Sequence, residues 1–220
     1  MDVNSLVQTV AIYALPVLFA ITLHEAAHGY VARHFGDMTA HAQGRISLNP
    51  LRHIDLVGTI IVPLAILLLT AKLIGGGLLF GWAKPVPVNY SALRKPRQHM
   101  ALVAAAGPGA NLVMALIWVL ALKLAVLLPA NGFSQVLGLM AQAGILVNLV
   151  FMFLNLLPIL PLDGGRIVAS LLPTRAAWQY SRLEPFGLPL LVLLLVTNVL
   201  AFVLEPLVGA SGAFIRALVF

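Results

Sequence analysis

Apolar runs long enough to enter or cross a bilayer recur along this chain, and they constrain its fold more than any other feature. Val10–Leu23 is nearly all apolar, and Leu56–Leu73, about 99–128, about 133–157 and Gly187–Leu204 follow, with most charges confined to the stretches between them. A helix rises about 1.5 Å per residue, so about 20 residues cross the hydrocarbon core. The first run extends into a helix from about Ser5 to Phe35, which Gly36-Asp37 ends. Hydrophobic residues make up 61% of the 220 and charged residues 9%, against about 25% charged in soluble proteins. We therefore expect an all-α polytopic membrane protein of about five to six membrane helices. Short extended or re-entrant segments are expected near 43–48, as a short strand in a surface loop, and near 79–90, where Pro85 and Pro87 forbid a helix. One integral-membrane domain should cover 1–220, with its core at about 5–170 and C-terminal membrane helices at about 187–220. Gly187–Leu204 reads as the last clear span, and Glu205–Phe220 as re-entrant or interfacial. MDVNSLVQTV has no basic n-region, so it reads as the lead-in to a retained helix.

The net charge of +6 does not point to nucleic acid. Basic residues are few and sit between apolar runs, with no basic face interleaved with aromatics, and the positive-inside rule accounts for them. Arg33, Arg45 and Arg52 should then share one side of the membrane with Arg94, Lys95 and Arg97. Only one helix separates the two groups, so Gly75–Tyr90 must return the chain across or partly into the membrane. Irregular backbone at that depth must be shielded by protein or line a cavity, so this segment is expected to pack beside the first helix. Trp82, Trp118 and Trp178 fit aromatic interface positions.

Inside the first run stands ITLHEAAHGY, residues 21–30, where His24, Glu25 and His28 form H-E-x-x-H. On a helix the two imidazoles lie one turn apart on the same face and can reach one metal ion, with Glu25 beside them as general base. Ionisable groups at membrane depth are expensive and mark function. The chain has no cysteine, so any metal must be held by His and carboxylate. A catalytic zinc takes three protein ligands, and two residues compete to be the third. His34 follows His28 by six residues, but the glycine that would turn the chain is Val31 here, so on an unbroken helix His34 points away. Asp163 lies after Pro158 and Pro161 and before Gly164-Gly165, where a membrane helix must break, and a carboxylate at that depth is better explained as a ligand. Asn111 reads mainly as an interhelical hydrogen bond. His41, His53 and His99 read as solvated interface residues, and Arg166 as a positive-inside residue.

H24-E-A-A-H28 in a first membrane helix, G107-P-G-A-N111 in a later one, and N155-L-L-P-I-L-P-L-D163-G-G together resemble the site-2 protease family of intramembrane zinc metalloproteases. FGWAKPVPVN resembles a segment of its compact branch, which lacks PDZ-like and nucleotide-sensing domains. The resemblance implies one Zn2+ per chain held by His24, His28 and Asp163, with Glu25 as base and Asn155 as the candidate oxyanion donor. It implies hydrolysis of transmembrane segments of single-pass or other membrane-protein substrates within the lipid bilayer, close to the cytoplasmic face. A prokaryotic plasma membrane is the expected location. Substrate helices must unwind for attack, and the 79–90 segment could pair with the unwound strand. A metal-binding transporter and an inactive zinc-stabilised scaffold are the alternatives; Glu25 between two histidines is what hydrolysis needs and transport does not, and no repeated halves are visible.

Overall fold

The structure is a computed structural model that describes residues 3–52, 55, 58, 61 and 84–219. Its helices are α1 (Val3–His34), α2 (Thr39–Ala42), α3 (Pro96–Leu127), α4 (Gly132–Leu156), α5 (Asp163–Leu171), α6 (Thr174–Ser181), α7 (Glu184–Val196) and α8 (Val199–Val219). Single 3-10 turns stand at Pro50–Arg52 and Tyr90–Ala92. There is no strand among the described residues. Among the described residues, four helices are long and apolar enough to cross a membrane, over Val7–His34, Pro96–Leu127, Gly132–Leu156 and Val199–Ala217. The chain is an all-α polytopic membrane protein. The run Leu56–Leu73 apart from positions 58 and 61, the 75–83 part of the return segment, His53 and Trp82 lie outside the described residues.

Local chemistry sets the helix ends. Pro96 opens α3, where its missing N–H is no loss and its fixed φ suits the first turn. A capping box opens α4: Ser134 N donates to Asn131 Oδ1 and Asn131 N donates to Ser134 Oγ, both at 3.0 Å. The last helices meet at Asn198, whose φ of 61° lies in the left-handed region that Asn tolerates better than most side chains. That turn corrects the expected C-terminal boundary: the apolar run 187–204 divides at 197–198, and Glu205 and Pro206 fall inside α8, a helix of spanning length.

Packing follows the inverted logic of a membrane bundle. Ala20, His24, His28 and Ala32 make a buried stripe at four-residue spacing on α1, and Val103, Gly107 and Asn111 make another on α3. Large apolar side chains such as Leu120, Leu124 and Phe202, the last 80% exposed, face outward. Lipid is as apolar as leucine, so small and polar residues decide how closely helices meet. Trp118 corrects an interface assignment: it is buried in the α3–α4 core with Met114, Ile145 and Leu149, against Gly144, where a Cβ would run into the indole. Trp178 is exposed, with the Arg182 guanidinium 5.0 Å from its ring centre.

At the basic end the chain is knitted by hydrogen bonds. Arg94 N donates to Phe35 O at 3.0 Å and the Arg94 guanidinium donates to His34 O, which puts Arg33 and the 94–97 cluster on one side, as the charge pattern requires. The expected strand near 43–48 does not form; side chains do its work. Arg45 donates to Arg52 O (2.6 Å) and Lys84 O (2.9 Å), and Arg52 donates to Gly44 O (2.9 Å).

Asp37 is fully buried just past α1 and accepts from Thr39 N at 2.9 Å and Asn89 N at 2.6 Å. Burial pushes its carboxyl up, but hydrogen bonds from the Thr39 side chain and amide and from the Asn89 amide outweigh it and hold the group below the usual carboxylate value. A depressed folded-state value stabilises the fold above the unfolded value of about 3.9 and loses that effect as pH falls toward the folded value. Asp37→Asn leaves one of the two part-buried amides without an acceptor and should cost about 1–3 kcal/mol at neutral pH. Thermal melting of both proteins across pH 7 to 3 should show a constant gap down to about pH 4 and a narrowing one below it.

Candidate metal centre

Two helices, α1 and α5, supply the three side chains of the centre. The α1 helix runs without a break through His24 and His28, so their rings share a face, 4.7 Å between centroids and nearly perpendicular at 84°. Pro158 and Pro161 lie in the break between α4 and α5, and Asp163 is the first residue of α5, where the helix dipole favours a carboxylate. Gly164 and Gly165 let this turn fold back on the end of α4. A Cβ at Gly164 would strike the Leu156 and Leu157 carbonyls, and one at Gly165 would stand 2.6 Å from Leu160 N.

The result is a buried convergence. His24 Nε2 and His28 Nε2 lie 3.2 and 3.3 Å from Asp163 Oδ2, and the three residues are 6%, 8% and 8% exposed. Asp163 Oδ2 is buried yet accepts no hydrogen bond. The outer ring nitrogens are engaged: His24 Nδ1 lies 2.6 Å from Asn111 Oδ1 and His28 Nδ1 lies 2.7 Å from Val103 O. A backbone carbonyl only accepts, so His28 Nδ1 carries a proton, and in the neutral ring Nε2 presents a lone pair. Lone pairs crowded about one point in a buried interior repel unless a cation lies among them. All three donor atoms lie within 4.8 Å of one another. Neighbouring ligands of a tetrahedral zinc with bonds near 2.0 Å stand about 3.3 Å apart, so the N–O separations and the His/carboxylate donor set fit zinc.

The α3 helix closes the centre from the other side. A Cβ at Gly107 would come within 2.5 Å of His28 Nε2 and 2.6 Å of His24 Nε2, so only glycine fits between the helix and the ring nitrogens. Asn111, expected chiefly as an interhelical hydrogen bond, joins the helices and also touches His24.

Glu25 is half-buried on the flank, and its Oε2 accepts from Val86 N at 2.8 Å. Val86 belongs to the non-helical stretch 84–89, which packs against α1 as the need to shield irregular backbone led us to expect; Gly29 leaves room for it, since a Cβ there would sit 3.2 Å from Val86 Cγ1. Two amides of this stretch, those of Val86 and Asn89, are already bound to the carboxylates of Glu25 and Asp37. His34 is exposed and outside the cluster. Asn155 is partly buried, and its Nδ2 donates to Phe151 O of its own helix at 3.0 Å, so the structure does not join it to the three converging residues. Sequence reasoning passed over Asn148, which receives Asn111 Nδ2 at 3.0 Å. Its signal was present, an amide in the middle of the apolar GILVNLVF stretch of α4.

Comparison with known proteins agrees with this geometry. Residues 126–197 match the family model described as Peptidase family M50. The chain is 39% identical over 203 residues to a Bacillus subtilis (strain 168) protein named "Putative zinc metalloprotease YwhC", covering 90% of this chain and 85% of that protein. It is 30% identical over 194 residues to the Mycolicibacterium smegmatis (strain ATCC 700084 / mc(2)155) protein named "Putative zinc metalloprotease Rip2", covering 83% of this chain and 66% of that one. No solved structure matches the chain.

The contact at Gly107 gives a direct test. Gly107→Ala should push α3 off the ring nitrogens and weaken zinc binding by about 10-fold or more, read by competition with a chelator. Gly109→Ala, where a Cβ meets nothing within 4 Å, should leave it unchanged.

Proposed function

The chain belongs to peptidase family M50, the site-2 protease family of zinc metalloproteases, and from that premise we propose that it is an intramembrane endopeptidase that cuts transmembrane segments of other membrane proteins. The observation that carries this reading is the convergence of His24 Nε2, His28 Nε2 and Asp163 Oδ2, inside a bundle of spanning helices, with Glu25 next in sequence to a ligand. His24, His28 and Asp163 are the three ligands that would hold zinc. Bound there, zinc supplies Lewis acidity that makes a water nucleophilic at neutral pH and polarises the scissile carbonyl.

This chain's own residues do the rest. Val86 N–H holds Glu25 Oε2 and leaves Oε1 to take the proton of the attacking water. As the C–N bond breaks, Glu25 returns that proton to the leaving amine, so the base is regenerated. The hydrogen bond also fixes the rotamer of Glu25, which removes an ordering cost from the reaction. Substrate carbonyls are hidden while helical, so the cleaved stretch must unwind beside α1. Two features support a site toward the cytoplasmic side. His28 lies five residues before Arg33, and α1 ends beside the Arg94–Arg97 cluster, the charge pattern of a cytoplasmic end. A prokaryotic plasma membrane suits this arrangement.

The test is purified full-length chain in lipid with a substrate whose transmembrane segment has a helix-weakened middle. Cleavage should stop with a chelator and return with zinc. Glu25→Gln should cleave about 10²–10⁴-fold more slowly while keeping wild-type zinc content. Wild-type rates from Glu25→Gln would falsify the assignment of Glu25 as base.

A further inference from the structure

Two amides in the bundle, Asn111 and Asn148, are both fully buried at 0% exposure, and their hydrogen bonds run in one direction. Asn148 Nδ2 donates to Gly144 O at 2.8 Å. Asn148 Oδ1 receives Asn111 Nδ2 at 3.0 Å, and the same Nδ2 donates to Ala20 O at 3.2 Å. Asn111 Oδ1 is thereby turned to His24 Nδ1, 2.6 Å away.

The polarity of this chain is set at its far end. Gly144 O and Ala20 O are backbone carbonyls of α4 and α1 and can only accept. Turning Asn148 over would face its oxygen to Gly144 O and its NH2 to the NH2 of Asn111. Turning Asn111 over would set its oxygen against both Ala20 O and Asn148 Oδ1. Each reversal strands polar groups that are fully buried. With Asn111 Oδ1 fixed as an acceptor, His24 must carry its proton on Nδ1. A reversed Asn111 would instead offer N–H to Nδ1 and move the ring proton to Nε2, the nitrogen aimed at Asp163.

We propose that Asn148, 37 positions from Asn111 in sequence and on another helix, is a positioning residue for the metal centre: through Asn111 it locks His24 in the Nδ1–H tautomer, so that Nε2 presents its lone pair to zinc. The proposal rests on the reading of His24 as a zinc ligand. Outer partners of metal-bound imidazoles act in this way in general, and their loss costs about 10–100-fold in metal affinity.

The experiment uses full-length chain in lipid nanodiscs with 15N-labelled histidine. In the metal-free wild type, 15N NMR should show the His24 proton on Nδ1. Asn148→Leu removes both the acceptor and the donor and should give a mixture of tautomers, with a zinc dissociation constant about 10–100-fold higher in chelator competition. Asn148→Asp in its neutral form keeps an oxygen for Asn111 and a hydroxyl for Gly144 O, and should restore the single tautomer and affinity within about threefold of wild type. A wild-type His24 protonated on Nε2 overturns the proposal whether or not the leucine variant folds. So does a folded leucine variant with unchanged tautomer and affinity. Unchanged zinc affinity in His24→Ala overturns the ligand reading and the proposal with it. Normal zinc binding and tautomer without peptide cleavage overturns the protease reading alone and leaves the relay standing.

Discussion

Everything in this fold bends around three side-chain atoms brought together in the buried interior of the bundle. Two imidazole nitrogens and one carboxylate oxygen meet in the bundle interior, and the oxygen accepts no hydrogen bond. A buried polar atom left unpaired costs about 1–3 kcal/mol, and a carboxylate out of water costs more. Such a cluster persists only if the surroundings hold it and a cation repays it. The holding is visible in the Nδ1 contacts of both histidines, in Gly107 against their rings, and in the Gly164-Gly165 turn that swings Asp163 inward.

Around the cluster, several hydrogen bonds join parts distant in sequence. Asp37 and Glu25, both carboxylates of the α1 region, take the amides of Asn89 and Val86, and Arg45 takes the carbonyls of Lys84 and Pro85. A proline-rich stretch with few donors of its own is thus fastened from both sides. One of those fastenings lands on the residue assigned as base. The fold and the proposed base therefore share a segment, so a change at 84–89 reaches both.

Much of this was legible from sequence where the physics is local. Two histidines four apart on an apolar helix must share a face, and a carboxylate between prolines and glycines must sit at a helix break. His34 could be set aside by the same local geometry, and the structure leaves it exposed. What could not be read depends on which helix faces meet. Trp118 looks like an interface aromatic until Gly144, on another helix, opens the space that buries it. Asn148 looks like an isolated cost in α4 until Asn111 is found opposite. The last helix boundary was misplaced because a single left-handed Asn198 divides an apolar run that only the pair Thr197-Asn198 interrupts. The 43–48 loop holds its shape through arginine-to-carbonyl bonds, which leave no period-2 pattern to read.

The measurement that bears most directly on the central claim is X-ray absorption at the zinc edge of the purified, zinc-loaded chain. Ligation by His24, His28 and Asp163 requires a four-coordinate shell with two imidazole nitrogens and the remainder oxygen, at about 2.0–2.2 Å. A shell with three imidazoles, or one of oxygen alone, would contradict it.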